Sequence, residues 1–141
     1  AGNVSVDTCV LLLHWVLHLS GRGPVEGCPD LVRVSHAWLE EHACKGQACK
    51  VLGWYPGSGD AVYLDDSMDI ENNLLHTSIA LHEVVHWVQR EEGTLGETCD
   101  SSVAAEREAY YIQRLFLDQY GSAYPIGSVL PTLGCVGSAE D

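Results

Sequence analysis

Residues 82–86 read His-Glu-Val-Val-His, and they lie inside a long run of helical periodicity in this 141-residue chain. Apolar residues recur every three to four positions over residues 69–93, which predicts one long helix there. On that helix His82 and His86 share a face, and Glu83 lies one step round from them. The pattern H-E-x-x-H predicts that the two imidazoles bind one metal ion and that the carboxylate addresses water at that ion.

A second predicted helix carries the candidates for a third metal ligand, because a catalytic zinc takes three protein ligands and keeps one open position. This helix is expected to begin at residue 100 or 101 and to end at Gly121. It contains Glu106 and Glu108. If the two helices are antiparallel, His86 and Glu106 each lie about 9 Å from the connection and therefore level with each other. Glu108 lies about 200° further round the helix, so only one of the two glutamates can face the metal, and the amphipathic pattern alone leaves both open.

The motif, followed by a glutamate 20 residues after its second histidine, resembles the gluzincin zinc metallopeptidases. Residues 106–110, Glu-Arg-Glu-Ala-Tyr, are similar to the E-x-x-A-D block of related gluzincins, whose first glutamate binds zinc. The resemblance implies one zinc per chain, held by His82, His86 and Glu106, with Glu108 as the alternative ligand. The chain departs from the block at Tyr110, where those families place an acid that orients a ligand histidine. A tyrosine hydroxyl there can fill that role or stabilise an oxyanion.

The activity that this resemblance implies is that of a zinc-dependent endopeptidase. Glu83 takes a proton from a water held by the zinc, the hydroxide attacks a peptide carbonyl, and Glu83 returns the proton to the leaving amine. Tyr110 is a candidate catalytic residue. The oxyanion donor is left open among Tyr110, Tyr111, Tyr120, Tyr124 and His76.

The alternative function is a non-catalytic zinc-binding or interaction module of the same fold. Glu83 argues against it, because a structural site has no need of a carboxylate aimed at an open coordination position.

The remaining pattern predicts one α+β domain over residues 1–141, and the resemblance makes this a minimal zincin-like domain. It has a small mixed or antiparallel sheet, the long zinc-binding helix and the antiparallel ligand helix that follows it. The other expected elements are a helix capped by Asp7 or Thr8 and ending at Ser20, a strand Leu31–Val34, a short helix Ser35–Ala43, and a hairpin of Val51–Tyr55 with Ala61–Leu64. Gluzincins place an antiparallel edge strand above the zinc, so the resemblance assigns the substrate rim to Ala61, Val62, Tyr63 and Leu64.

The composition narrows the range of partners. A formal net charge of −13 would repel a phosphate backbone or an anionic membrane surface, so nucleic-acid and membrane partners are not expected. The longest apolar stretch, Val10–Leu19, is about half of the roughly 20 residues that span a bilayer. We expect a monomer that acts on peptide or protein substrates, with a preference for basic peptides.

Six cysteines indicate an oxidising compartment, and hence a secreted or periplasmic protein. The spacing of Cys44 and Cys49 predicts a disulfide that closes a short turn. The pairing of the other four cysteines is left open, and these are Cys9, Cys28, Cys99 and Cys135. Residues 1–3 are expected to be a mature N-terminus.

Two further histidines, His36 and His42, are six residues apart and do not share a helical face. They are expected to be solvated.

Overall fold

The computed structural model describes residues 3–122 of the chain. The elements in this part of the chain are α1 (Val6–Ser20), β1 (Asp30–Val34), α2 (His36–His42), β2 (Gly53–Trp54), β3 (Ala61–Asp65), α3 (Leu74–Glu91) and α4 (Cys99–Gln119). The predicted α+β class is therefore confirmed. The tail from Tyr124 onward lies outside the described residues.

The three strands form one mixed sheet in the order β1-β3-β2. β1 runs parallel to β3, and β2 runs antiparallel to it with Trp54 opposite Tyr63. The predicted hairpin is confirmed, although β2 has two residues instead of the expected five. The predicted position of the substrate rim is wrong, because β3 is the central strand of the sheet: β1 pairs with it over residues 61–65, and β2 pairs with Tyr63 and Leu64 on its other side. This correction applies to Ala61, Val62, Tyr63 and Leu64, and the edge strand on that side is β2.

The three long helices begin at residues other than those that the pattern predicts. Ser5 caps α1 by accepting a hydrogen bond from the Thr8 main-chain N–H. Asn73 caps α3, four residues after the expected start at Asp69. Thr98 caps α4 through a reciprocal capping box. Short polar side chains are frequent before each helix, and the one that caps it is set by where the chain turns into the helix.

α3 lies at the centre of the fold, between the sheet, α1 and α4. Its buried face includes Val84, Val85 and Val88, and it packs on the inward side chains of β3, Val62 and Leu64. α3 and α4 are antiparallel, as predicted, because residue 89 meets residue 105 whereas residue 82 meets residue 113. The candidate site therefore lies between two helices whose axial positions are held by the core.

Two disulfides join described residues. The first, which we call the α1 disulfide, links Cys9 to Cys28; the second, the α2 disulfide, links Cys44 to Cys49 and confirms the predicted turn. None of the described cysteines is a free thiol, and Cys135 lies outside the described part of the chain. Disulfides of this kind are typical of an oxidising, extracellular environment. No helix within residues 3–122 is long and apolar enough to cross a membrane.

The His36 side chain is 39% exposed and His42 is exposed, in line with the expectation that both are solvated, but His36 is also hydrogen-bonded to the sheet. Its Nδ1 lies 2.7 Å from Asp65 Oδ2, and its Nε2 lies 2.8 Å from the Cys49 carbonyl oxygen. Both partners only accept, so both ring nitrogens donate and the imidazole is charged. The hydrogen bond to Asp65, followed by the one to Cys49, raises the pKa of His36. Burial raises the pKa of Asp65, but the N–H of Ser67 and His36 outweigh it and lower that pKa.

Candidate metal centre

Three potential ligand groups meet between α3 and α4. Nε2 of His82 and Nε2 of His86 each lie 3.0 Å from Oε1 of Glu106, and the three ligand atoms lie within 4.8 Å of one another. Both imidazoles are buried, whereas the Glu106 side chain is 43% exposed. The ligand set that the sequence predicts is therefore brought together, and it could hold a metal ion.

The buried glutamine Gln89 orients His86. Gln89 Oε1 lies 2.8 Å from His86 Nδ1, and Gln89 Nε2 donates to the Ala105 carbonyl at 3.0 Å and to Glu108 at 2.8 Å. Because a carbonyl and a carboxylate accept and cannot donate, the amide nitrogen must face them and the amide oxygen must face His86. His86 Nδ1 therefore carries a proton, which leaves Nε2 as the nitrogen available to a metal.

The same reasoning applies to His82 through Gln113. Nδ1 of His82 lies 2.9 Å from Gln113 Oε1, and Gln113 Nε2 donates to Ser78 Oγ at 3.0 Å. Ser78 gives its own hydroxyl proton to the Leu75 carbonyl, so its oxygen accepts from the glutamine. Both imidazoles thus present Nε2 to the site. Sequence reasoning missed the two glutamines, although a polar residue within the apolar stripe of each helix was the available signal.

The electrostatics of the three groups suit a cation. Burial lowers the pKa of His86, but the hydrogen bond to Glu106 and the charge of Glu83 outweigh it and raise that pKa to about 9. Burial opposes ionisation of Glu106, yet the hydrogen bonds of His82 and His86 lower its pKa. Two imidazole nitrogens and one carboxylate are a ligand set that fits a divalent ion. Such an ion would replace the protons that His82 Nε2 and His86 Nε2 share with Glu106.

Glu83 lies at the edge of a cleft of about 850 Å³, which also exposes His82, His86 and Glu106. Its Oε1 accepts a hydrogen bond from the main-chain N–H of Tyr55 at 3.0 Å, directly after β2. The edge strand therefore holds the carboxylate of the motif against the cleft wall.

Glu108, the alternative ligand, does not belong to the ligand set. Arg22 binds its carboxylate with two hydrogen bonds, from Nε at 2.9 Å and from Nη2 at 2.6 Å. Gln89 supplies a third. The helical rotation that separates the two glutamates directs Glu106 to the histidines and Glu108 to the arginine, so the prediction of Glu108 as a possible ligand is wrong.

Among the candidate oxyanion donors, Tyr110 lines the cleft. Its ring lies edge-on to His82 at a centroid distance of 4.5 Å, and burial, followed by the charge of Glu106, raises its pKa. Its predicted role of orienting a histidine is filled by Gln113. Three other candidates, Tyr111, Tyr120 and His76, are not among the residues that line the cleft. Tyr111 and Tyr120 are 52% and 56% exposed, and His76 Nδ1 accepts a hydrogen bond from the Asp69 N–H. Tyr124 lies outside the described residues.

The fold and this site define an α+β domain with a candidate His-His-Glu metal centre in an open cleft. Comparison with protein-family models, with curated proteins and with solved structures finds no match to this chain. Kinship with the gluzincins therefore rests on residues 82–86 and 106–110, and it stays a prediction.

Proposed function

We propose that this protein is a zinc-dependent endopeptidase of the gluzincin type. The observation that carries the proposal is the position of Glu83. Its carboxylate lies in the same cleft as the three ligand groups, and the Tyr55 N–H holds it there. An H-E-x-x-H sequence that occurred by chance would have no reason to combine a third ligand with an anchored carboxylate in one open cleft.

His82, His86 and Glu106 would hold the zinc, one per chain. When bound, zinc supplies Lewis acidity, which lowers the pKa of water and polarises a carbonyl oxygen. Glu83 then accepts the proton of the attacking water and passes it to the nitrogen of the departing amine. Tyr110, beside His82 at the cleft wall, has a hydroxyl that can donate to the developing oxyanion.

The substrate is a peptide or an unfolded segment of a protein, which lies between β2 and α4. β2 is an edge strand of the sheet that residues 3–122 form, and residues 50–57 form one wall of the cleft. An extended peptide can add to such an edge through main-chain hydrogen bonds. The net charge of −13 disfavours nucleic acid and membranes as partners and favours cationic peptides. Its disulfides favour a secreted or periplasmic location. We propose that the protein acts there as a monomer.

The variant Glu83→Gln tests the proposal. We expect wild type and variant to bind about one equivalent of zinc, because Glu83 is not among the ligand groups. Hydrolysis of a proteome-derived peptide library should fall by roughly 10²- to 10⁴-fold in the variant and should stop with a chelator. Glu71→Gln, an exposed glutamate outside the cleft, is the matched control and should leave hydrolysis unchanged.

Two results would overturn the proposal. Undiminished hydrolysis by pure Glu83→Gln protein would remove the assigned base. Zinc binding by the wild type without cleavage of any library peptide would favour the non-catalytic zinc-binding module.

A further inference from the structure

A continuous chain of polar contacts runs from Arg22, which follows α1, to the metal centre. Arg22 binds Glu108 through Nε and Nη2 at 2.9 and 2.6 Å, and Glu108 Oε1 accepts from Gln89 Nε2 at 2.8 Å. Gln89 Oε1 in turn accepts from Nδ1 of His86 at 2.8 Å. This chain of contacts ends at Nδ1 of His86, and the other ring nitrogen of His86, Nε2, faces Glu106. Arg22 is thus three contacts away from a candidate ligand.

Gln89 can transmit orientation because its amide has one satisfactory arrangement. It is fully buried, and none of the buried side-chain polar atoms within residues 3–122 lacks a partner. A reversed amide would set its oxygen against the Ala105 carbonyl and Glu108, and its NH2 group against the His86 N–H. Because Nε2 of Gln89 donates to two acceptors, the orientation of the amide depends on the carboxylate of Glu108 as well as on the carbonyl of Ala105.

Arg22 in turn holds Glu108 in place. Its Nη1 also donates to Glu92 Oε1 at 2.6 Å and to Thr94 Oγ1 at 3.0 Å, so one guanidinium binds the end of α3, the connection and α4. Without a cationic partner, a half-buried carboxylate moves toward water, because burial penalises its charge. Arg22 lies in the loop that the α1 disulfide closes, and the disulfide restricts how far Arg22 can move from Glu108.

We propose that Gln89 is the positioning residue for His86 as a metal ligand, and that Arg22 acts on the metal centre through Glu108 and Gln89. The proposal rests on the metal site of the proposed function and does not depend on hydrolysis. It assigns a role to an arginine sixty residues before the first residue of the motif, and to a glutamate that the sequence presents as a possible ligand.

The test measures zinc affinity by competition with a chromophoric chelator in four proteins besides the wild type. These are Gln89→Met, Arg22→Met, the double variant, and Arg33→Met as the matched control, since Arg33 donates to the Met68 carbonyl and has no contact with this chain of residues. We expect Gln89→Met to lose roughly 10- to 100-fold in affinity, as is typical when the partner of a ligating histidine is removed. Arg22→Met should lose less, and the double variant should lose no more than Gln89→Met alone.

Two further measurements separate positioning from general stability. In the zinc-loaded wild type, the Nδ1 proton of His86 should give a slowly exchanging NMR signal, which Gln89→Met should lose and Arg33→Met should keep. Arg22→Lys keeps the charge without the fork of donors, so it should restore part of the affinity that Arg22→Met loses.

The outcomes separate this inference from the proposed function. Wild-type affinity in both single variants, or losses that add in the double variant, would overturn the role of Arg22 and Gln89 and leave the peptidase proposal standing. The expected losses in a protein that cleaves no peptide would support the positioning role and refute the peptidase proposal. Absence of zinc binding by the wild type would overturn both.

Discussion

Gly53 in β2 is the position at which a single methyl group should separate catalysis from metal binding. A Cβ at this residue would lie 3.0 Å from Glu83 Cγ, 3.3 Å from Ile79 Cγ2 and 3.4 Å from Leu64 Cδ2. Gly53 has no positive φ, so its backbone accepts alanine and the effect of Gly53→Ala is steric. The closest of the three contacts falls on the proposed base.

The size of the effect follows from these distances. A carbon–carbon contact of 3.0 Å is shorter than the preferred separation, so the Glu83 side chain must retreat by a few tenths of an ångström. A misplacement of about 1 Å can cost as much as 10²-fold in rate, so this smaller shift should lower kcat/KM by roughly 3- to 10-fold. Overpacking costs about 1–3 kcal/mol, and the restricted unfolded chain returns about 0.4–1 kcal/mol. The net loss in free energy of unfolding should therefore be about 1 kcal/mol.

The assay compares Gly53→Ala with Gly23→Ala, since a Cβ at Gly23 meets nothing within 4 Å and its φ is not positive. For each protein we would measure zinc content, kcat/KM on one cleaved peptide, and urea unfolding. Gly53→Ala should keep its zinc and lose rate, and Gly23→Ala should match the wild type. A Gly53→Ala protein as active as the wild type would refute the idea that β2 positions Glu83. Parallel loss of zinc and activity would show that the strand supports the whole site.

Three further predictions concern ligands, disulfides and pH. Removing a residue that hydrogen-bonds to a metal ligand typically weakens metal binding by roughly 10- to 100-fold, so Glu108→Gln should stay within that range and Glu106→Gln should lose more. Equal losses would contradict the assignment of Glu106, and not Glu108, as the ligand. The cysteines of the α1 disulfide are 19 residues apart and those of the α2 disulfide are 5 apart, so replacing both cysteines should lower the free energy of unfolding by about 3 kcal/mol for the first and about 2 kcal/mol for the second. Urea unfolding measures both losses, and the reverse order would refute the loop-entropy argument. The pKa of His36 is raised above 6.5, so His36 stabilises the fold fully below about pH 6.5 and less as the pH rises through the raised pKa. The pKa of Asp65 is lowered below 3.8, so Asp65 loses its contribution to stability as the pH falls through the lowered pKa. The stability difference between wild type and His36→Gln should therefore be greatest between these limits, and a difference independent of pH from 3 to 9 would count against a charged pair.

The local parts of the site were predictable from the sequence. Two histidines four residues apart share a helical face wherever the helix packs, and a helix of fixed rise brings Glu106 level with His86 once the pair is antiparallel. The α2 disulfide was predictable for the same reason, since only four residues separate its cysteines.

Two features depended on contacts between residues far apart in the chain. Glu106 and Glu108 border the same apolar stripe, and the rotation at which α4 packs directs Glu106 to the histidines of α3 and Glu108 to Arg22, which follows α1. The position of β3 at the centre of the sheet comes from β1, which crosses over to pair with it in parallel. A pattern of period two marks a strand but does not say how many neighbours the strand has.

The sequence by itself therefore determined which side chains face together along each helix, because helical geometry repeats over a few residues. The helical pattern left both glutamates open, the resemblance favoured Glu106, and the tertiary structure brings Glu106 to the histidines. The tertiary structure alone decided which nitrogen each imidazole presents and which strand borders the cleft. These outcomes depend on packing and on hydrogen bonds between elements. Whether a buried donor finds its acceptor is settled only when helices and sheet have closed around it.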